Sequence, residues 1–300
     1  MSFDIAVMQV FNGISLFTIL LLMALGLAIV FGLMGVINMA HGELMALGAY
    51  MTYVAAKFFE HFAPSWMDVY LFAAIPFAFA VTFGLGYLLE RGFIRFFYNR
   101  PLDTLLATWG LSLILQQAYR NIFGAQEVSV PLPTWLAGAW EPVIGIQLPL
   151  TRLFIVALTA VVAIAVYLLL YQTRWGLKVR AVTQNRAIAG AVGIDTNRVD
   201  AMTFALGSGL AGIAGCVFTM IGSTNPGTGQ LYIVDSFIVV VFGGVQSLFG
   251  TALSAFAIAQ SQTWMEFFLS GSMAKATILL LVIVVLYFRP NGLFAVRSRN

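Results

Sequence analysis

Charge is what this chain has least of. Asp, Glu, Lys and Arg together make up 9% of its 300 residues, against roughly 25% in an ordinary soluble domain. With 61% of the residues hydrophobic, a water-soluble globular domain is excluded. Cysteine is nearly absent too: Cys216 stands alone, so no internal disulfide can form. His41 and His61 are the only histidines, which with one cysteine gives poor support for a zinc site. His41-Gly42-Glu43 lacks the H-E-x-x-H spacing. None of the three lysines, Lys57, Lys178 and Lys275, precedes Ser or Thr, so the phosphate loop G-x-x-x-x-G-K-[ST] does not occur and the chain cannot be an ATPase by that route. There is no G-x-S-x-G elbow. No enzymatic activity, no cofactor and no nucleic-acid partner are expected.

What the chain has instead is apolar runs. A hydrocarbon layer about 30 Å thick takes about 20 apolar residues per helix, and candidate spans fall at 14–37, 42–56, 69–89, 104–123, 153–171, 201–221, 233–259 and 273–288. The expected fold is all-α: a polytopic helical membrane protein of about eight transmembrane helices plus broken or re-entrant segments. It forms one domain over 1–300, with no soluble domain attached. The first thirty residues have neither a basic region nor a small-residue cleavage site, so a retained helix is expected there rather than a removed signal peptide.

The few basic residues are unevenly placed. Arg91, Arg95 and Arg100 share one loop; Arg174, Lys178, Arg180, Arg186 and Arg198 share a second; Arg289, Arg297 and Arg299 lie in the tail. Segments 124–150 and 222–232 hold no lysine or arginine. Because orientation follows Lys and Arg in short loops, the three basic segments are expected in the cytoplasm and the N-terminus outside. That topology closes only if 233–262 crosses an even number of times or re-enters, as a stretch broken at Gly243, Gly244 and Gly250 would allow. Eight spans with a re-entrant pair, or nine crossings, both fit.

Polar residues inside the apolar runs mark the candidate site. In FGLMGVINMAHGELMALGAY (31–50), Asn38, His41 and Glu43 stand among four glycines, and Glu43 is the only formal charge between Ile5 and Ala56. Carboxyl and imidazole groups at hydrocarbon depth face protein or water and point to a solute path; glycine-broken backbone there must be buried in protein or line a cavity. Asp235 opens a second such run, which holds Gln246 beside a glycine pair. Phe31-Gly32 with Gly35 and Phe242-Gly243 with Gly244 hint at an internal repeat. By contrast Gly207, Gly209, Gly212 and Gly215, together with Ala205, Ala211 and Ala214, set small residues at spacings of three and four and are expected to let helix backbones approach closely. Gln116, Gln117 and Arg120 read as interhelical hydrogen bonding or snorkelling, and Glu60 and His61 as a solvated outside loop. The loop at 173–200 carries a short amphipathic helix at 179–192 with Arg180, Gln184, Asn185 and Arg186. It reads either as an anchor on anionic headgroups or as a docking helix for a cytoplasmic partner.

Four ordered stretches resemble the permease subunits of branched-chain amino acid type ABC importers: GLAIVFGLMGVINMAHGELMALGAY (26–50), GLKVRAVTQNRAIAGAVGIDTNRVDAMTFALGSGLAGIAG (176–215), VVVFGGVQSLFGT (239–251) and FRPNGLF (288–294). Within that family TLLATWGLSLILQQAYRNIFGA (104–125), VTQNR (182–186) and IGSTNPGTGQLYIVDSFIVVVFGGV (221–245) are most similar to the first permease subunit of the urea importers. Val234-Asp235-Ser236-Phe237 replaces the Leu-Lys-Ala-Phe common in amino acid permeases, an acid where a base is usual. The resemblance implies half of a translocation pore in a bacterial inner membrane, with a second related permease chain, two cytoplasmic ATPase subunits and a periplasmic or extracellular solute-binding protein. Urea is the solute it implies first, with branched-chain amino acids or short amides as the alternative. On this reading Asn38, His41, Glu43, Asp235 and Gln246 line or gate the path, and Arg180, Gln184, Asn185 and Arg186 couple it to ATP. Rival readings are an ATP-independent channel or secondary transporter and a structural assembly subunit.

Overall fold

The computed structural model describes residues 3–98, 100–143 and 146–294. Its elements run α1 (Phe3–Ala28), ending in a π-helical turn (Ile29–Leu33), α2 (His41–Phe62), α3 (Tyr70–Gly92), α4 (Pro101–Phe123), β1 (Ala139–Val143), β2 (Ile146–Pro149), α5 (Leu150–Gln172), α6 (Arg174–Gln184), α7 (Arg186–Ala191), α8 (Thr196–Thr219), α9 (Thr228–Gly243), α10 (Leu248–Phe268) and α11 (Gly271–Phe288). Among the described residues five helices are long and apolar enough to cross a membrane: Ile5–Leu33, Tyr70–Gly92, Leu150–Gln172, Thr196–Thr219 and Gly271–Phe288. The chain is thus an all-α multi-pass membrane protein, with one small antiparallel hairpin, β1 against β2, that the sequence did not announce.

The core is built on α8. Along its length small residues meet neighbouring backbones: a Cβ on Gly207 would press on Val30 and the Gly26 carbonyl, one on Gly212 would strike Thr82, and one on Gly215 would overlap the Met45 carbonyl. Apolar lipid gives no hydrophobic drive between helices, so close van der Waals packing has to hold them. α8 achieves that on three sides at once, against α1, α2 and α3.

Two helix breaks sit side by side. The first follows α1, where the last turn widens to a π-helix and Gly35 takes φ +69°, releasing 35–38 as non-helical chain. The second lies between α9 and α10, at Gly244 with φ +99°. A side chain on Gly32 would fall on the Val245 carbonyl, so the two breaks touch. Helix α9 ends without intrahelical partners for its last carbonyls, and the segment after α11 supplies them: Leu293 N–H donates to Phe242 O (2.9 Å) and Phe294 N–H to Gly243 O (3.2 Å).

Several boundaries differ from the sequence expectation. The span at 14–37 is not one helix, because the chain leaves helical geometry after Leu33. Gly243 closes α9 and Gly244 breaks the next run, while Gly250 lies inside α10. The amphipathic helix at 179–192 is two helices, split at Asn185, whose side chain accepts from Ile188 N–H (3.0 Å) and caps α7. Glu60 and His61 belong to the last turns of α2, not a loop; Glu60 pairs with Lys57 at 2.8 Å in solvent. Arg297 and Arg299 lie outside the described residues. The remaining basic loops gather at one end of the bundle, where Thr183 donates to the Leu33 carbonyl (2.9 Å). The opposite end carries the hairpin, the Val128–Thr224 bridge, and Asp68 accepting from Thr134 N–H (2.8 Å) and Oγ1 (2.9 Å).

Candidate functional site

The π-turn and the non-helical chain after it set up the site. Asn38 Oδ1 accepts from Ala40 N–H (3.0 Å) and its carbonyl from His41 N–H (3.3 Å), so α2 is launched from inside the bundle. His41 then faces α1: its Nε2 donates to the Met23 carbonyl at 3.2 Å, and the ring lies against Gly26. Two residues on, Glu43 faces the other way, toward α4.

Helix α4 is inverted relative to a soluble helix. Its buried residues are Thr104, Thr108, Ser112, Gln116 and Tyr119, all polar and spaced by three or four on one face. Its exposed side carries Leu102, Leu106, Trp109, Ile114 and Ile122, as suits lipid. The polar stripe docks on α2 through hydrogen bonds. Met39 N–H donates to Thr108 Oγ1 (3.1 Å), Ser112 Oγ (3.0 Å) and Gln116 Nε2 (2.9 Å) both donate to Glu43 Oε1, and Tyr119 Oη donates to the Glu43 carbonyl (2.8 Å). Interhelical hydrogen bonds in membranes average about 0.6 kcal/mol, so these four hold α4 with roughly 2 kcal/mol. Few backbone approaches reinforce them, whereas the α3–α8 contact is close-packed. α4 is therefore joined to α2 chiefly by side-chain hydrogen bonds.

The seam has spare polar capacity. Among the described residues, Glu43 Oε2, the Tyr50 hydroxyl, His41 Nδ1 and Asn38 Nδ2 are buried without a hydrogen-bond partner, each costing about 1–3 kcal/mol if it stays dry. Unpaired buried groups of this kind suit a route that takes up water or solute. Tyr50 stacks on Phe123 at 4.2 Å and meets Tyr119 at 5.4 Å, an aromatic cap above Glu43. Thr104, at the foot of the stripe, lines a cavity of about 790 Å³ together with Arg95, Arg100, Arg186 and Asp200 at the basic end. From Thr104 to Tyr119 the stripe extends about 22 Å at 1.5 Å per residue.

The other candidates lie elsewhere. Asp235 pairs with Lys275 (2.8 Å) in a cavity of about 640 Å³ at the opposite end. Gln246 is at the basic end, sharing a cavity of about 240 Å³ with Arg180, Thr183 and Gln184. The structure thus turns His41 toward α1 and Glu43 toward α4 from the same short stretch as Asn38, and places Asp235 and Gln246 in other cavities.

The charged residues of α6 and α7 make specific contacts. Arg180 donates to the Leu170 carbonyl (2.8 Å) and covers the Tyr171 ring, tying α6 to the end of α5. Arg186 bonds Asp200 at 2.5 Å and stands over Tyr98, whose hydroxyl donates to Glu90 Oε1 at 2.6 Å. Burial, and then the Glu90 contact, push the Tyr98 hydroxyl well above its ordinary value, so it stays a donor. Gln184, Asn185, Ile188 and Val192 remain on the surface. Ser112, Tyr119, Tyr50 and the Glu90–Tyr98 pair went unread in the sequence. The first could have been found from polar residues every fourth position in an apolar helix; the others leave no such trace.

Fold and seam define a multi-pass helical membrane protein with a polar line through its interior, the class of solute permeases. The chain belongs to the family described as branched-chain amino acid transport system / permease component, whose model matches residues 9–286. It is 28% identical to the high-affinity branched-chain amino acid transport system permease protein BraD of Pseudomonas aeruginosa, over 95% of this chain and 94% of that one. LivH of Escherichia coli, named for the same transport system, is 28% identical with the same coverage. The probable branched-chain amino acid transport permease LivH of Methanocaldococcus jannaschii is 26% identical over 98% of this chain. No solved structure matches. These relatives overturn the urea reading: the family and all three proteins carry branched-chain amino acid names. Asp235, the acid standing where a base is usual, has its own cation in Lys275 and needs no change of solute to explain it.

Proposed function

We propose that this chain is one half of the translocation pathway of an ATP-driven importer of branched-chain amino acids, paired with a second related permease chain. Two ATPase subunits act at the basic end, which faces the cytoplasm, and a solute-binding protein delivers cargo at the other. With the N-terminus outside, nine crossings return the chain to the cytoplasm, α9 being the short pass at 16 residues. The observation that carries this reading is the α2–α4 seam: a buried carboxyl on a helix that starts inside the membrane, faced by a polar stripe whose foot opens into the basic-end cavity. Movement of α4 away from Glu43 opens the seam. ATP-driven closure of the ATPase pair reaches it through α7, since Arg186 at the start of α7 is bonded to α8 and stacked on Tyr98 beside the seam's foot.

Reconstitution with the partner subunits tests this. Proteoliposomes of the full complex should take up leucine only with ATP and binding protein present, and the chain alone should be inert. Conduction by the isolated chain without ATP would instead mark it as a channel. Glu43→Gln keeps an acceptor for Ser112 and Gln116, so it should lower uptake per assembled complex at least tenfold with normal assembly. Normal uptake per complex would make Glu43 structural.

A further inference from the structure

The cavity that holds Asp235 gathers two charges of each sign from four helices. Arg152 comes from the start of α5, Asp235 from α9, Glu266 from the end of α10 and Lys275 from the start of α11. The seam uses none of them. Asp235 is paired through one oxygen with Lys275 (2.8 Å), Glu266 accepts through one oxygen from Gln262 (2.8 Å), and Arg152 is held by Asn12. Among the described residues, the second oxygens of Glu266 and Asp235 have no protein donor, and most of the Arg152 fork is uncommitted. Leu16, Ile19 and Tyr232 supply an apolar floor, and the volume of about 640 Å³ lies within the range of roughly 300–1,000 Å³ usual for small-molecule pockets.

Arg152, Asp235, Glu266 and Lys275, far apart in sequence, are carried by four helices to one recess at the end opposite the basic loops. A guanidinium takes a carboxylate through two parallel hydrogen bonds. A carboxylate pair takes an ammonium, which offers three donors. An apolar wall takes an alkyl chain. One class of small molecule offers all three at once. We propose that this cavity is a reception site for zwitterionic α-amino acids with aliphatic side chains, the substrate carboxylate on Arg152, its ammonium on Glu266 and Asp235, and its side chain against Leu16 and Ile19. The site deepens the importer reading above and rests on it for direction: it opens at the end opposite the basic loops, where cargo is delivered.

The test uses the full chain in lipid nanodiscs without ATPase or binding protein, with radiolabelled leucine. Leucine should bind, and 4-methylpentanoate and 3-methylbutylamine, which keep one charge each, should compete at least tenfold more weakly. Arg152→Gln and Glu266→Gln should each weaken leucine binding at least tenfold. As a measure independent of those variants, a thiol introduced by Leu16→Cys should be shielded from a charged methanethiosulfonate by leucine and not by either one-charge analogue; the native Cys216 is buried and does not compete. Absence of leucine binding and of shielding, or binding unchanged in both charge variants, overturns the proposal. If ATP-driven leucine uptake persists in that case, only the site is lost; leucine binding with no uptake by the complete complex refutes the importer reading instead.

Discussion

Gln116 offers the sharpest test of the seam. In Gln116→Leu, Glu43 Oε1 loses the shorter of its two side-chain donors (2.9 Å) while the apolar outer face of α4 is untouched. The loss is one interhelical hydrogen bond to a buried carboxyl, which sits at the upper end of the membrane range, about 1–1.7 kcal/mol. Since 1.36 kcal/mol is a factor of ten, the population with α4 lifted from α2 should rise roughly 5- to 20-fold. Ser112→Cys reports that population, because position 112 is 2% exposed and its side chain points at Glu43. The rate at which a water-soluble methanethiosulfonate modifies the thiol introduced by Ser112→Cys should therefore increase roughly 5- to 20-fold on adding Gln116→Leu. Gln117→Leu, one residue on and bonded only to Asn121 in the exposed surface, should leave the rate within twofold. An unchanged rate in Gln116→Leu would mean that α4 is held by something other than the polar stripe. An equal rise in Gln117→Leu would mean that the helix as a whole has loosened.

Two further outcomes follow from the packing and from the end opposite the basic loops. Gly212→Leu drives a side chain into Thr82 and the Ala78 carbonyl, so it should cost upwards of about 3 kcal/mol and lower the unfolding midpoint in detergent, while Gly110→Leu, which meets nothing within 4 Å, should not. Asp68 holds Thr134 by two hydrogen bonds, first from its backbone N–H and then from its hydroxyl, and these keep its carboxyl below the ordinary value. A depressed folded-state value means the tether is complete at neutral pH and is lost as pH falls through the acid range below the usual carboxylate value. Protease cleavage near Thr134 should accelerate there in the parent protein and be fast already at neutral pH in Asp68→Ala; a pH-independent rate in the parent would refute the assignment.

The broken element around Asn38, His41 and Glu43 could be read from the chain because every contributing signal is local: glycines that admit a positive φ, an acid that is the one charge between Ile5 and Ala56, and an apolar run around both. The α8 glycines were legible for the same reason, their spacing on a helix face being a property of that segment alone. Gln116 shows where local reading stops. Its interhelical bond was expected, but its acceptor, 73 positions away, was not. Asp235 and Gln246 fared worse: intramembrane position grouped them with Glu43, and the fold sends one to Lys275 and the other to Arg180 and Gln184.

Composition, cation placement and glycine spacing determined by themselves that the chain is a helical membrane protein, with its basic loops at one end and its backbone broken in two places, because hydrocarbon demands apolar helices and water takes the charges. Which polar groups meet was decided only when α4 laid its stripe on α2 and α11 brought Lys275 to Asp235. Those contacts join residues tens of positions apart, and their partners are chosen by how whole helices pack, not by any property of the segments that carry them.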